Sequence, residues 1–218
     1  MKDYTTPDLN HSALISIDVQ NDFVLDDAPA RIPGTLEAVP AMKKVVQSFR
    51  DSGIPIIHVI RLYMPDGSNV DLCRRAAVES GARIAIPESE GAELVTSLKP
   101  NIDTRLNAPL LLSGGLQEIG DNEFVLFKPR WGAFYQTGLE GFLRGRDINT
   151  LVFLGCNYPN CPRTSIYEAS ERDFKIMLVT DAISQLYPRG EDEMSNIGVT
   201  LYSSENLGQP LPASICNR

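Results

Sequence analysis

Five short apolar runs alternate with stretches of helical spacing, and this alternation leaves few folds open. The runs are ALISIDVQ (13–20), IPIIHVIRL (54–62), EFVLFK (123–128), TLVFLGC (150–156) and KIMLVTDAIS (175–184). Nearly continuous apolar runs of this length suit strands buried on both faces of a parallel sheet. Between the first two lies TLEAVPAMKKVVQSFRDSG, with Val39, Met42, Val45, Val46 and Phe49 at helical spacing and Gly53 as its stop. TGLEGFLRGRD (137–147) and CPRTSIYEASERDF (161–174) read as further helices. RGEDEMSNIGVTLY (189–202) reads as a last helix, whose acidic start is a solvated face, followed by a weaker sixth strand. Strands alternating with helices predict a three-layer α/β/α doubly wound sheet, mainly parallel, of about six strands. No repeat or linker divides the chain, so residues 1–218 read as one domain.

Residues 63–122 are the irregular part of this pattern. NVDLCRRAAVES (69–80) and EGAELVTSL (90–98) read as short helices, and NAPLLLSGGLQEIG (107–120) as an excursion over the surface; residues 101–120 are expected to build a lid or an oligomer contact.

Bulk properties exclude several classes of function. A net charge of −8 lacks the basic footprint that nucleic acid requires. The polar start MKDYTTPDLNHS predicts no signal peptide, and no apolar run reaches the length of a membrane span. The expected location is therefore cytoplasmic, with Cys73, Cys156, Cys161 and Cys216 as reduced thiols. There is no CxxC pair to suggest a zinc ribbon or a thioredoxin-type site.

Ligands of open parallel sheets bind beyond the carboxyl ends of the strands, where strand order reverses. Three reactive side chains fall at or just past such ends: Asp18, Lys128 and Cys161. Pro162 fits the first position of a helix and would leave Cys161 as its N-cap, where the helix dipole favours a thiolate. Neither histidine suits the part of base: His11 precedes the first strand, and His58 reads as a core residue in the middle of the second. Asp18 is the alternative proton acceptor, with Lys128 balancing its charge. Cys156 ends an apolar strand and reads as packing. Taken singly, each of these residues has an ordinary structural reading; their shared sheet edge makes the case for chemistry.

LISIDVQNDFV (14–24), KPRWGAFYQTGLEGFL (128–143) and TLVFLGCNYPNCPRTSIYEASERDFKIMLVTDAIS (150–184) together resemble the isochorismatase-like superfamily, in its cysteine hydrolase branch. The resemblance implies hydrolysis of a non-peptide C–N bond, in an amide, ureide or lactam, through a cysteine thioester. It implies a catalytic triad of Asp18, Lys128 and Cys161, an oxyanion hole from the backbone N–H groups of Asn157 and Cys161, and a cis peptide at Cys156–Asn157. It also implies a homodimer or homotetramer, a small-molecule amide-type substrate and no cofactor. Phe23, Arg61, Trp131 and Tyr158 flank the triad positions and are candidates to line the substrate pocket. Aromatic walls would favour a flat substrate, and Arg61 an anionic one.

Two departures from the family pattern matter. Tyr158 stands where relatives often carry Thr, and Pro162 follows the cysteine, so a bulkier loop is expected. Nicotinamidases carry an Asp and two His as metal ligands after the second strand. RLYMPDGSNVDL (61–72) has no His, so no metal is expected and nicotinamide is disfavoured. Three rival readings remain. One is a thiol redox protein in which Cys156 resolves an oxidised Cys161. Another is a non-catalytic binding protein of the same fold. A dinucleotide-binding fold is the third, against which no G-x-G-x-x-G follows the first strand.

Overall fold

The computed structural model describes residues 4–206. In chain order its elements are β1 (Ser12–Ile17), α1 (Asn21–Val24), α2 (Thr35–Asp51), β2 (Ile56–Ile60), α3 (Leu72–Glu79), α4 (Ala108–Leu112), β3 (Leu116–Gly120), β4 (Glu123–Phe127), α5 (Leu139–Arg144), β5 (Thr150–Gly155), α6 (Cys161–Ser170), β6 (Lys175–Ile183), α7 (Pro188–Asn196) and β7 (Thr200–Tyr202). The strands form one sheet in the order β3-β4-β2-β1-β5-β6-β7, antiparallel only between β3 and β4. After β1 the chain builds outward through β2 and β4, then returns to the other side of β1 to lay down β5. The strand order therefore reverses between β1 and β5.

Side chains alternate across a strand, so each central strand feeds two cores. Ala13, Ile15 and Ile17 of β1 pack with Leu139 and Leu143 of α5, Ile166 and Ala169 of α6, and Met194 of α7. Leu14 of β1, with Val152 and Leu154 of β5, faces Met42, Val45, Val46 and Phe49 of α2. With a helix layer on each face, every residue of β1 and β5 is buried. That double burial is why these strands read as unbroken apolar runs rather than as alternating ones.

The sheet has seven strands rather than about six. The extra strand, β3, lies in the Gly-rich stretch expected to be a surface excursion. It is a short, half-buried edge strand, so its apolar signal is weak, but its backbone pairs with β4 from Leu116 to Gly120. The preceding apolar residues form α4, capped by Asn107. EGAELVTSL forms turns at its start and a single 3-10 turn at Thr96–Leu98 rather than a helix. Its backbone is engaged elsewhere: Leu94 bridges to Gln20, and the Gln20 side chain donates to Ala92 O at 2.6 Å. Cys216 lies outside the described residues.

His58 is a core residue, as its mid-strand position predicts. Its Nε2 lies 2.8 Å from Glu123 Oε1, and Arg50 from the last turn of α2 grips the same carboxylate with two hydrogen bonds of 2.7 Å. Burial opposes ionisation of Glu123, but the bonds from Arg50 and His58 win and pull its pKa from the usual 4.5 to about 2. A carboxylate whose folded pKa is depressed stabilises the fold fully above its unfolded pKa, and that stability drains away as pH falls through the folded value. Unfolding free energy should therefore decline between pH 4.5 and about 2. Chemical denaturation of Glu123→Gln across that window should give a shallower decline than the parent protein.

Candidate active site

Four neighbouring strands deliver their next residues to one edge of the sheet. Asp18 follows β1, Arg61 follows β2, Lys128 follows β4 and Cys156 follows β5. The ladder continues just far enough to hold three of them: Asp18 N donates to Val59 O at 2.9 Å, Lys128 N to Ile60 O at 3.0 Å, and Cys156 N to Ile17 O at 2.9 Å. Arg61 is held by a side chain instead, because Gln20 Oε1 accepts from Arg61 N at 2.8 Å and Gln20 Nε2 donates to Arg61 O at 2.7 Å. Adjacent strands are about 4.8 Å apart, so residues remote in sequence meet here by topology. The meeting point is the crevice where strand order reverses.

Gly155 lets β1 and β5 close on each other at this edge. Its φ is +123°, and a Cβ placed there would lie 2.2 Å from Ile17 O. Both the backbone angle and the space demand glycine. Gly155→Ala should cost at least about 3 kcal/mol, measured as a fall in the denaturant midpoint, if the protein remains soluble at all.

Asp18 and Lys128 form a buried ion pair, with Lys128 Nζ 2.8 Å from Asp18 Oδ2 and neither side chain more than 5% exposed. Asp18 takes a left-handed φ of 53°, which Asp tolerates better than most residues. Its other oxygen, Oδ1, has no hydrogen-bond partner among the described residues. Asp18 and Cys161 line one pocket together with Phe23, Arg61, Trp131, Cys156 and Asn157. Lys128 lies behind Asp18, fully buried.

Cys161 is the first residue of α6, with Asn160 as the cap and Pro162 second, one position later than the spacing suggests. Its thiol is also not the low-pKa group expected of a helix start. Burial first, and then the Asp18 charge, push it up to about 11, against the downward pull of Lys128 and Arg61. At neutral pH the proton therefore sits on sulfur, beside a carboxylate. Cys156 Sγ donates to Asp18 O at 3.0 Å, and burial holds that thiol well above its usual range. Both cysteines are free thiols.

The loop from Cys156 to Asn160 carries the cis peptide at Cys156–Asn157. The Asn157 side chain is tied to Gln185 Oε1 at 2.6 Å and to Asn160 Nδ2 at 3.1 Å. Neither the Asn157 N–H nor the Cys161 N–H donates to a protein group among the described residues. Both residues line the pocket.

Phe23, Arg61 and Trp131 line the pocket, whereas Tyr158 lies away from it. Its ring is buried among residues under α7, packs edge-on against Tyr187, and its hydroxyl donates to Gly190 O at 3.0 Å. Gly190 makes this possible, since a Cβ there would approach Tyr158 Cε1 to 2.5 Å. The bulk expected in the loop is thus absorbed on the far side of it. Sequence reasoning missed Ile32, Tyr63 and Arg74, which also line the pocket. Arg74 lies in the stretch recognised as a short helix, and nothing local marks which way that helix faces. The pocket's free volume is about 10 Å³, the space of about one water molecule. Two larger hollows, of about 390 and 480 Å³, lie on outer helical and loop surfaces away from Asp18 and Cys161. None of the residues lining the small pocket comes from 101–120, the stretch expected to supply a lid or contact.

Known proteins resemble this chain in sequence and fold. The Isochorismatase domain matches residues 12–106 and 115–200. Over 195 residues the chain is 31% identical to a "probable inactive nicotinamidase" of Arabidopsis thaliana, covering 87% of this chain and 90% of that one. Over 190 residues it is 29% identical to the ureidoacrylate amidohydrolase RutB of Methylobacterium radiotolerans, covering 80% of this chain and 67% of that one. An isochorismatase family protein from Desulfovibrio vulgaris has the same fold with a TM-score of 0.77 at 31% identity, covering 90% of this chain and 96% of that one. With the domain matched along most of its length, the chain belongs to the isochorismatase-like hydrolase family.

Proposed function

We propose that this protein hydrolyses the carbon–nitrogen bond of a small amide, ureide or lactam through a thioester on Cys161. The observation that carries the reading is that Asp18, paired with the buried Lys128 at 2.8 Å, lines one pocket together with Cys161. In the resting site the thiol keeps its proton and Asp18 is the acceptor beside it. When substrate arrives, Asp18 takes the proton as sulfur attacks the carbonyl carbon. Lys128 keeps the charge of the site balanced throughout. The N–H groups of Asn157 and Cys161 receive the oxyanion, and each such donor is worth about 10²–10³ in rate. Asp18 then protonates the leaving nitrogen as the C–N bond breaks. Water enters, gives a proton to Asp18 and attacks the thioester carbon. The acid leaves, and the proton returns to sulfur.

The relatives' names support this reading at the level of reaction class: RutB is an amidohydrolase, and its length is covered to 67%. The Arabidopsis protein, named a "probable inactive nicotinamidase", makes a non-catalytic binding protein the second reading. A thiol redox sensor fits less well. Sensor cysteines are accessible and of low pKa, whereas Cys156 and Cys161 are buried and raised. The test is a panel of small amides, ureides and lactams assayed for release of ammonia or amine, with Cys161→Ala as the blank. Release by the parent protein alone supports hydrolysis. Binding without release supports the second reading.

A further inference from the structure

Beside the triad, the pocket holds a second feature that amide hydrolysis does not require. Arg61 is 2% exposed, yet none of its three guanidinium nitrogens has a hydrogen-bond partner among the described residues. Its Nη2 lies 3.0 Å from Asp71 Oδ2, close enough for an ion pair but out of line for a hydrogen bond. The group is held in place all the same. Its backbone is clamped on both sides by Gln20, and its guanidinium lies 5.7 Å from the Tyr63 ring and 5.8 Å from the Trp131 ring. Tyr63 in turn donates to Asp71 Oδ2 at 2.8 Å. A buried arginine that served only to pair with Asp71 would satisfy its donors there, because unpaired buried donors are costly. Here the fork is rigid, buried and unsatisfied, and it faces the space in front of Cys161.

Charge points the same way. Arg61, Arg74 and Lys128 stand around Asp18 and Asp71, three cations to two carboxylates, in a chain whose net charge is −8. The local surplus is positive where the whole molecule is negative. Planar carboxylates match a guanidinium with two parallel hydrogen bonds, which a neutral amide cannot do.

We propose that the pocket selects amides that also carry a carboxylate, seated on the unsatisfied fork of Arg61, with Asp71 and Tyr63 as its positioning residues and Arg74 as a second cation at the entrance. This rests on the hydrolase reading for what happens to the amide, but the anion site stands or falls separately. The pocket's free volume is too small for such a molecule. Arg74 is the wall that has to give way: it is half-buried, it rides on a helix whose buried contact is Val78, and among the described residues its guanidinium makes one hydrogen bond, of 3.4 Å to Tyr63, beside ring contacts to Phe23 at 5.4 Å and Trp131 at 6.0 Å.

The experiment uses the full chain and three anionic probes, malonamate, succinamate and glutaramate, each paired with its neutral diamide. Calorimetric titration into Cys161→Ala reads binding without turnover, and ammonia release by the parent protein reads chemistry. At least one monoamide anion is expected to bind roughly 10- to 100-fold more tightly than its diamide. Arg61→Met should erase that preference, Arg61→Lys should keep part of it, and Arg74→Gln should weaken it less than Arg61→Met does. Thermal melts of each variant confirm folding, and the comparison of anion with diamide within one variant remains valid if Arg61→Met is less stable. Equal binding of both members of every pair, or no binding of any probe, overturns the proposal. Hydrolysis of diamides as fast as of anions overturns it while leaving the hydrolase reading intact. Binding of an anion through Arg61 without ammonia release upholds the anion site and removes the hydrolase reading.

Discussion

Cys161→Ala should lower amide turnover by about 10⁴- to 10⁶-fold, the loss expected when a nucleophile is removed from a catalytic unit. The fold should persist, since the change deletes one buried sulfur at the first residue of α6, at a cost of about 1–2 kcal/mol. Serine at the same place should not rescue the rate, because its hydroxyl holds its proton more tightly than a thiol does. The raised thiol gives a second readout. With its pKa pushed up to about 11, Cys161 is protonated and buried at neutral pH. Iodoacetamide at pH 7.5 should therefore label the exposed Cys73 well before Cys161, and labelling of Cys161 should accelerate as pH rises toward 11. A redox sensor would behave in the opposite way, with Cys161 labelled first.

Lys128→Met should be nearly as damaging to activity, and much more damaging to stability. Lys128 is fully buried, and its ammonium is the partner of Asp18 at 2.8 Å. Removing it strands a carboxylate in the interior, which typically costs about 3–5 kcal/mol, or roughly 10 °C in melting temperature for a chain of this size. The rate should fall by about 10³-fold or more, because the base can no longer exchange a proton with sulfur at balanced charge. The informative comparison is with Asp18→Asn and with the double variant. Asn accepts the left-handed backbone at position 18, so Asp18→Asn should be inactive for want of a base and destabilised by the unpaired lysine. Combining Asp18→Asn with Lys128→Met removes both charges, and most of the lost stability should return, to within about 1–2 kcal/mol of the parent. Activity should not return with it. Recovery of stability without activity separates a catalytic pair from a merely structural one, and denaturant titration together with an ammonia assay reads both.

The layered sheet was legible in the sequence because its central strands are buried on both faces and so carry unbroken apolar runs, as in TLVFLGC. β3 was not, because an edge strand exposed on one face leaves only a faint pattern in LQEIG. The shared sheet edge of Asp18, Lys128 and Cys161 is legible for a topological reason: each stands at or just beyond the carboxyl end of a strand, and a doubly wound sheet gathers such ends at its reversal point. The state of Cys161 was misread. A helix start argues for a thiolate, but burial and a neighbouring carboxylate outweigh it, and burial is a property of the assembled pocket. Tyr158 was misplaced for a related reason, since the space it occupies is opened by Gly190, 32 residues further on. Arg74 carries no local signal because its place at the pocket depends on which way α3 lies over the site, and α3 contributes too little buried surface to show a face in its sequence.

Passage of an acyl group through the Cys161 sulfur is the step that sets the proposed chemistry apart. The direct measurement is mass spectrometry of protein quenched in acid during turnover of an amide from the panel, followed by peptide mapping. The prediction is an added acyl mass on the peptide carrying Cys161, absent from Asp18→Asn under the same conditions. Steady ammonia release with no adduct on that peptide, undiminished in Cys161→Ala, would contradict it.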